Sequence, residues 1–202
     1  MSHYSAMDFH GLTEQIPKTT YINFEQALAS TSTGRLSQTS IEGAFKRKVR
    51  TTQFIAETHD FRVVMLNGKN TGYLGVIEAP APSTDSSTGE TQGTVRVTNL
   101  ERTLIDITVR PVYSGGVHEV LQAFRAAKPS VSINRLAAML QQLNYIYPYH
   151  QAIGYYLDRA GYSSLQLDLL RKFPMEFDFY LAHQINDPVF DKNWRIYVPS
   201  SL

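Results

Sequence analysis

The chain has 202 residues, of which 43% are hydrophobic and 18% charged, and this is the composition of a globular protein with one core or two small ones. Its net charge of +1 gives no overall attraction to nucleic acid, anionic lipid or an acidic substrate. It contains no cysteine, which excludes disulfides, thiolate catalysis and cysteine-bound zinc. No apolar run is long enough to span a membrane and no signal-peptide pattern opens the sequence, so we expect a cytoplasmic protein.

The first half of the sequence combines strand patterns with polar loops. After an N-terminal helix, β-branched and apolar runs predict strands at residues 53–58, 61–66, 73–79 and 94–98. Two stretches rich in Ser, Thr, Pro and Gly, at residues 29–40 and 79–93, are typical of surface loops.

The second half changes to helical periodicity. Apolar residues recur at helical spacing in "VHEVLQAFRAA", "SINRLAAMLQQL", "PYHQAIGYYLDRA" and "SSLQLDLLRK". The tail returns to strands at "MEFDFYLAH" and "WRIYVP". This order predicts an α+β fold, in which a mixed sheet of N-terminal and C-terminal strands packs against four to five helices. We expect one domain over residues 1–202, with a strand-rich part at 1–112, a helical part at 113–174 and closing strands at 175–202.

The stretch "TNLERTLIDITVR" concentrates charge and raises the question of an active site. Thr98 and Glu101 match the capping box T-x-x-E, in which the threonine accepts a backbone amide and the glutamate reaches back to the cap. Asp106 lies within i,i+4 reach of Arg102. We expect these four side chains to cap the helix and form surface ion pairs, and a catalytic cluster is the alternative.

A second charged stretch, "SIEGAFKRKVR", predicts a basic helix. Thr39 and Glu42 form another possible capping box at its start. Helical spacing places Lys46, Arg47 and Arg50 on one face, where they can hold phosphates or an acidic partner; a solvated helix face is the alternative. Aromatic residues are not interleaved with these cations, so the sequence does not indicate stacking of single-stranded nucleic acid.

One carboxylate pair is compatible with metal chemistry. Glu176 and Asp178 are two apart in a predicted strand, so both can face the same side and share a divalent cation, as in nucleases and nucleotidyltransferases. The alternative, which we prefer, is that they lie on the solvent face of a half-buried strand. The six histidines show no metal-ligand spacing, and we expect neither a metal nor a cofactor.

Several long segments resemble one protein family. "VTNLERTLIDITVRPVYSGGVHEVL", "SHYSAMDFHGLTEQIPKTTYI", "SIEGAFKRKVR", "VVMLNGKNTGYLGV", "YPYHQAIGYYLDRAGY" and "FDFYLAH" resemble the C-terminal region of AbiEi-type antitoxins. These are bacterial proteins of type IV toxin–antitoxin systems, which act in abortive infection and phage defence. The resemblance implies a cytoplasmic, non-catalytic protein that opposes a nucleotidyltransferase-like toxin, either by direct contact or through the target of the toxin.

The resemblance also has consequences for DNA binding. Relatives repress transcription through an N-terminal winged helix-turn-helix that precedes the segment similar to "SHYSAMDFHGL". We expect this chain to lack that module, because Met1 lies only a few residues before the segment. Operator binding is therefore not carried over, although DNA remains a possible partner. The alternative function is that of a metal-dependent nuclease or nucleotidyltransferase that uses Glu176 and Asp178.

Overall fold

The computed structural model describes residues 1–27, 35–81 and 93–202, and the predicted α+β class is confirmed. The described residues form seven α-helices, one 3-10 turn and eight strands. In chain order they are α1 (His3–Phe9), β1 (Thr19–Glu25), α2 (Gln38–Phe45), β2 (Ile55–Glu57), β3 (Arg62–Gly68), β4 (Val76–Pro80), β5 (Thr94–Thr98), α3 (Leu100–Val109), the 3-10 turn (Pro111–Tyr113), α4 (Val117–Ala127), α5 (Ile133–Leu143), α6 (Tyr149–Arg159), α7 (Ser164–Arg171), β6 (Phe179–Tyr180), β7 (Pro188–Asp191) and β8 (Ile196–Pro199).

The strands pack against helices, as predicted, and are divided among three small sheets within the described residues. The N-terminal sheet has the order β1-β3-β2, with β1 parallel and β2 antiparallel to β3. Strands β4 and β5 form an antiparallel pair. The C-terminal sheet has the order β6-β8-β7, so that β8 is flanked on both edges. The central strand β3 is flanked by β1 and β2, and the central strand β8 is flanked by β6 and β7. The N-terminal and C-terminal strands therefore belong to separate sheets.

Helix α3 lies at the centre of the helical core. Every residue from Glu101 to Thr108 is buried, and α3 contacts α1, α4, α5 and α6. The apolar stripes that the sequence predicts for the following helices face this core, and they include Leu121, Phe124, Leu136, Leu140, Ile153 and Leu157. Burial of each such side chain contributes about 2 kcal/mol to folding, so this cluster dominates the stability of the chain.

Helix α6 is joined to the C-terminal strands through Trp194. A Cβ atom on Gly154 would lie 2.0 Å from Cζ3 of the Trp194 ring, so only glycine leaves room for the indole against this helix. The indole Nε1 donates to Asp158 Oδ2 at 2.9 Å, and Gln151 Nε2 donates to the carbonyl oxygen of Trp194 at 2.9 Å. A glycine inside a helix costs about 1 kcal/mol relative to alanine, and the close packing of Trp194 explains why it is present.

Some elements differ from the predicted ones. Strands β1 and β7 were not expected, and the predicted strand at 175–183 is reduced to the two residues of β6. The loop predicted at 29–40 ends earlier, because residues 38–40 already belong to α2. Half of this predicted loop, and most of the one at 79–93, lies outside the described residues. In the described parts of the chain, no helix has both the length and the apolar character to cross a membrane.

Candidate functional site

The start of α3 differs from the predicted capping box. Asn99, not Thr98, is the N-cap, and its side chain accepts the backbone N–H of Arg102 at 2.9 Å. The prediction is wrong because Thr98 is still the last residue of β5, and its hydroxyl lies 2.8 Å from that of Thr103. Asparagine caps helices at least as well as threonine, so the helix begins one residue later than expected.

Glu101 connects α3 to α5 instead of capping its own helix. Glu101 is buried, with 2% of its surface exposed, and its carboxylate accepts a hydrogen bond from the backbone N–H of Ser132 at 3.1 Å. It also pairs with Arg135 at 2.9 Å. Ser132 is the N-cap of α5, so the Glu101 carboxylate lies at the N-terminus of that helix. Unpaired backbone amides and the helix dipole favour an anion at this position. The carboxylate is therefore fully used by the fold.

The predicted ion pair between Arg102 and Asp106 is confirmed, with a distance of 2.8 Å between Nε and Oδ1. The pair was expected at the surface, and this is wrong, because α3 is enclosed by helices and both residues are buried. Arg102 also donates to the carbonyl oxygen of Leu74 at 2.6 Å and to Thr71 Oγ1 at 3.1 Å. The guanidinium thus fixes the chain after β3 to the central helix.

A small polar cavity of about 110 Å³ lies beside this ion pair. Its lining includes His3, Lys69, Asp106, Arg110 and Tyr145. Burial, reinforced by the positive charges of Arg110 and of the neighbouring arginine of the ion pair, lowers the pKa of His3 to about 3. The imidazole is therefore neutral near pH 7 and a weak base. The Lys69 ammonium donates to two carbonyl oxygens at the end of α5, at 3.0 and 3.2 Å.

These properties do not suit acid–base catalysis. A general base works best with a pKa near the operating pH, and His3 lies far below it. The carboxylate of Asp106 is held by a guanidinium that is itself bound to the backbone. The carboxylate is thus engaged within the fold.

Lys46, Arg47 and Arg50 are exposed, but they do not form a helix face as predicted. The prediction is wrong because α2 ends at Phe45: the backbone N–H of Gln184 donates to the Phe45 carbonyl oxygen at 2.9 Å. The predicted capping box at Thr39 is also wrong, because the helix starts two residues earlier, at a box formed by Ser37 and Ser40.

Glu176 and Asp178 do not share a strand face. Both precede β6, because the backbone of this stretch is bound by side chains: Asp178 N–H donates to Gln38 Oε1 at 2.9 Å. The Asp178 carboxylate pairs with Arg195 at 2.8 Å, and Glu176 is exposed. The strand-based metal pair is therefore wrong. Among residues 1–27, 35–81 and 93–202 there is no group of three or more His, Asp or Glu side chains suited to a metal ion.

The N-terminal sheet has an apolar face that is open to solvent. The inner face packs Val64 and Leu66 against Tyr113. Because side chains alternate along strands, the next residues point to the opposite side. On this opposite side, three phenylalanine residues are more than half exposed: Phe24 at 59%, Phe54 at 68% and Phe61 at 55%. We call this surface the outer face; it consists of Thr20, Ile22, Phe24, Phe54, Ala56, Phe61, Val63 and Met65, none of which carries a charge.

Comparison with known proteins supports the fold. No family model matches the chain, and no curated protein sequence matches it. The structure is similar to the crystal structure of the RV2827C protein from Mycobacterium tuberculosis, with a TM-score of 0.56 and 17% sequence identity. The match covers 97% of this chain and 60% of that protein, so the chain spans about 60% of the length of its structural neighbour. At this identity the likeness concerns the fold alone.

Sequence reasoning missed the outer face because it missed β1. The segment "TTYINFE" contains β-branched and aromatic residues, which was a usable strand signal. The exposed rings at Phe54 and Phe61 were seen only as parts of separate strands. Their meeting on one side with Phe24 depends on the register between β1 and β3, which a single sequence does not contain.

Proposed function

We propose that this chain is a cytoplasmic, non-catalytic antitoxin-like protein of the AbiEi type, which counteracts a nucleotidyltransferase-like toxin. The observation that carries the proposal is the use of charge in α3. Glu101, Arg102 and Asp106 belong to the segment that most resembles the family, and all three are buried. Glu101 and Arg102 join α3 to other parts of the fold, and Asp106 pairs with Arg102. Side chains engaged in this way support a binding protein rather than an enzyme.

The outer face supports binding to a protein partner. Contiguous exposed apolar surface is uncommon on monomeric proteins and is typical of interaction sites. Phe24, Phe54 and Phe61 are aromatic anchors of the kind that dominate interface energies. Because the face has no charged residue, its complement is an apolar surface, and we assign the toxin as its occupant. The family also implies a part in transcriptional regulation, and this would use a surface other than the outer face.

Growth rescue tests the proposal. The chain is co-expressed with a nucleotidyltransferase-like toxin encoded beside it, and growth and co-purification are measured. We expect rescue by the unaltered chain, and loss of both rescue and co-purification in the double variant Phe24→Ser, Phe54→Ser. Leu165→Ser is the matched control, because Leu165 is 80% exposed and lies on α7, outside the sheet.

The outcomes separate the function from the surface. Serine at exposed positions changes stability by no more than about 0.5 kcal/mol, which thermal unfolding verifies for each variant. Absence of rescue by the unaltered chain contradicts the antitoxin proposal. Rescue by the double variant at the level of Leu165→Ser keeps the antitoxin function and removes the outer face from it.

A further inference from the structure

The C-terminal sheet carries a row of aromatic rings on its solvent side. Ile196 and Val198 of β8 are buried, so Tyr197 between them points outward. Tyr180 on β6 and Phe190 on β7 are its cross-strand partners. The ring centroids lie 4.9 Å apart for Tyr180 and Tyr197, and 4.8 Å apart for Phe190 and Tyr197. Phe190 ends the row on β7, an edge strand, so among the described strands it has no cross-strand neighbour on the side away from Tyr197.

This aromatic row reaches the cations that follow α2, which are Lys46, Arg47, Lys48 and Arg50. We call these four residues the basic segment. Phe45 stacks on Tyr180 and on His183, with ring centroids 5.7 and 4.5 Å apart. His183 Nδ1 also lies 3.1 Å from the carbonyl oxygen of Arg47. The aromatic residues that the sequence separates from these cations by more than a hundred positions are therefore adjacent to them in the fold.

Between the row and the loop before β7 lies a cleft of about 440 Å³. Tyr180, Tyr197, Gln184 and Asn186 are among the residues that line it. Amide side chains present both donors and acceptors, which match the hydrogen-bonding edges of nucleobases. Lys46 lines the same cleft and supplies a positive charge beside it.

The cations next to the cleft form no ion pair within the described residues, although Arg47 Nε donates to the carbonyl oxygen of Gly43 at 3.0 Å. All four residues of the basic segment are exposed. No carboxylate in the described ranges pairs with any of them. Four charges within five residues exceed what one bound nucleotide needs, and they suit a chain of successive phosphates.

We propose that the aromatic row, the cleft and the basic segment together bind single-stranded nucleic acid. One base enters the cleft beside Tyr197, another stacks on Phe190 at the open end of the row, and the phosphates follow the cations. A duplex does not fit this arrangement, because its bases are stacked internally and the basic segment is not a helix that enters a groove. Glu42 and Asp178 lie near Tyr180, so we expect the phosphates to run on the Lys46 side. This activity goes beyond the proposed antitoxin function.

Fluorescence anisotropy with labelled oligonucleotides tests the proposal. The probes are a 12-nucleotide oligo(U), a 12-nucleotide oligo(dT) and a 12-base-pair DNA duplex, titrated at several salt concentrations. We expect at least one single strand to bind at least about 10-fold more tightly than the duplex. The logarithm of its affinity should fall with the logarithm of salt with a slope of about −3, for four phosphate contacts.

Variants separate stacking from charge. Tyr197→Ala weakens single-strand binding about 10-fold with an unchanged salt slope, whereas Arg47→Ala with Arg50→Ala reduces the slope by about 1 to 2. Tyr73→Ala and Arg125→Ala are the matched controls, since both residues are exposed and lie elsewhere, Tyr73 in the turn between β3 and β4 and Arg125 on α4. If Tyr197→Ala is unfolded by circular dichroism, Phe190→Ser at the sheet edge replaces it, with the same expected loss.

Three results overturn the proposal. One is no binding of either single strand at 50 mM salt, a condition in which about four phosphate contacts are easily detected. Another is equal affinity for the strand and the duplex with no effect of either aromatic variant, which indicates attraction by charge alone. The third is complete displacement of the oligonucleotide by uridine monophosphate at equal nucleotide concentration, which indicates a site for a free nucleotide.

Discussion

At the scale of single residues, the histidines show how burial decides chemistry. His150 is the second residue of α6, stacks on Phe173 at a centroid distance of 5.2 Å, and is 8% exposed. Its Nε2 has no hydrogen-bond partner within the described parts of the chain. Burial lowers the pKa of His150 to about 4, partly opposed by a hydrogen bond with the backbone of Pro174. The residue is thus held neutral inside the fold.

We expect acid to destabilise the protein through His150. An unfolded histidine gains a proton below pH 6.5, but the folded one does so only near pH 4, so falling pH favours the unfolded state across this interval. The full effect is about 3 kcal/mol. In His150→Asn, which keeps a side-chain donor, the free energy of unfolding should fall less steeply between pH 6.5 and 4, as measured by urea unfolding.

His59→Asn is the control for this measurement, because the His59 side chain is 98% exposed. Its pH profile should match that of the unaltered protein. An unchanged slope in His150→Asn would show that His150 does not carry the acid sensitivity. His3, whose pKa is also lowered by burial, would then be the next residue to replace.

At the scale of elements, local sequence patterns predict helices well and their ends poorly. The helical stripes were correct because each depends on residues within one turn or two, such as Ile153 and Leu157 of α6. The ends of α2 and the short β6 were not, because distant groups determine them: the backbone of Gln184 terminates α2, and Gln38 binds the backbone of Asp178. Single-sequence reasoning has no access to such contacts.

The candidate sites follow the same rule. Residue alternation alone places Tyr180 and Tyr197 outward, because the neighbours Phe179 and Ile196 are apolar. What the sequence does not reveal is that β8 lies between β6 and β7, which brings these rings into one row. Lys46, Arg47 and Arg50, which the sequence places on one helix face, are exposed without forming such a face, and the surface beside them depends on tertiary packing.

We expect Glu101 to stabilise the junction between α3 and α5 rather than to perform chemistry. Glu101→Gln keeps an acceptor for the Ser132 amide and removes the negative charge at the start of α5 and the attraction to Arg135. The loss should be about 2 kcal/mol in the free energy of unfolding, measured by urea titration, since buried charged hydrogen bonds contribute about that amount. A variant with unchanged stability would contradict the structural role of this carboxylate.

Asp168→Asn on α7 is the matched control for Glu101. Asp168 pairs with Arg171 at 2.9 Å, but its side chain is 55% exposed. Exposed pairs of this kind contribute less than about 1 kcal/mol because solvent screens them. A difference between the two variants therefore measures the effect of burial on otherwise similar ion pairs.

At the scale of the whole molecule, the core is divided unequally. The large hydrophobic cluster joins the helices to the C-terminal strands through side chains such as Phe124 and Trp194. A separate small cluster beneath the N-terminal sheet contains Val64, Leu66 and Tyr113. Because local stability follows the apolar area buried around each element, we expect the N-terminal sheet to open more easily than the helices.

Amide hydrogen exchange measured by mass spectrometry checks this expectation. In the unaltered chain, amides of β1 and β3 should exchange faster than those of α3 and α6. Leu66→Ala removes part of the small cluster and should accelerate exchange in β1 and β3 while leaving α6 unchanged. Leu157→Ala, in the large cluster, should accelerate exchange in both regions, because it lowers the global stability by about 3 kcal/mol.

The two variants also decide how the outer face is presented to a partner. If Leu66→Ala acts only on the N-terminal sheet, then Phe24 and Phe54 belong to a unit that opens independently, and partner binding should slow exchange there before it affects the helices. If Leu66→Ala accelerates exchange in α6 as strongly as Leu157→Ala does, the molecule unfolds as one cooperative unit. The outer face would then be as rigid as the helical core, and binding would protect all elements alike.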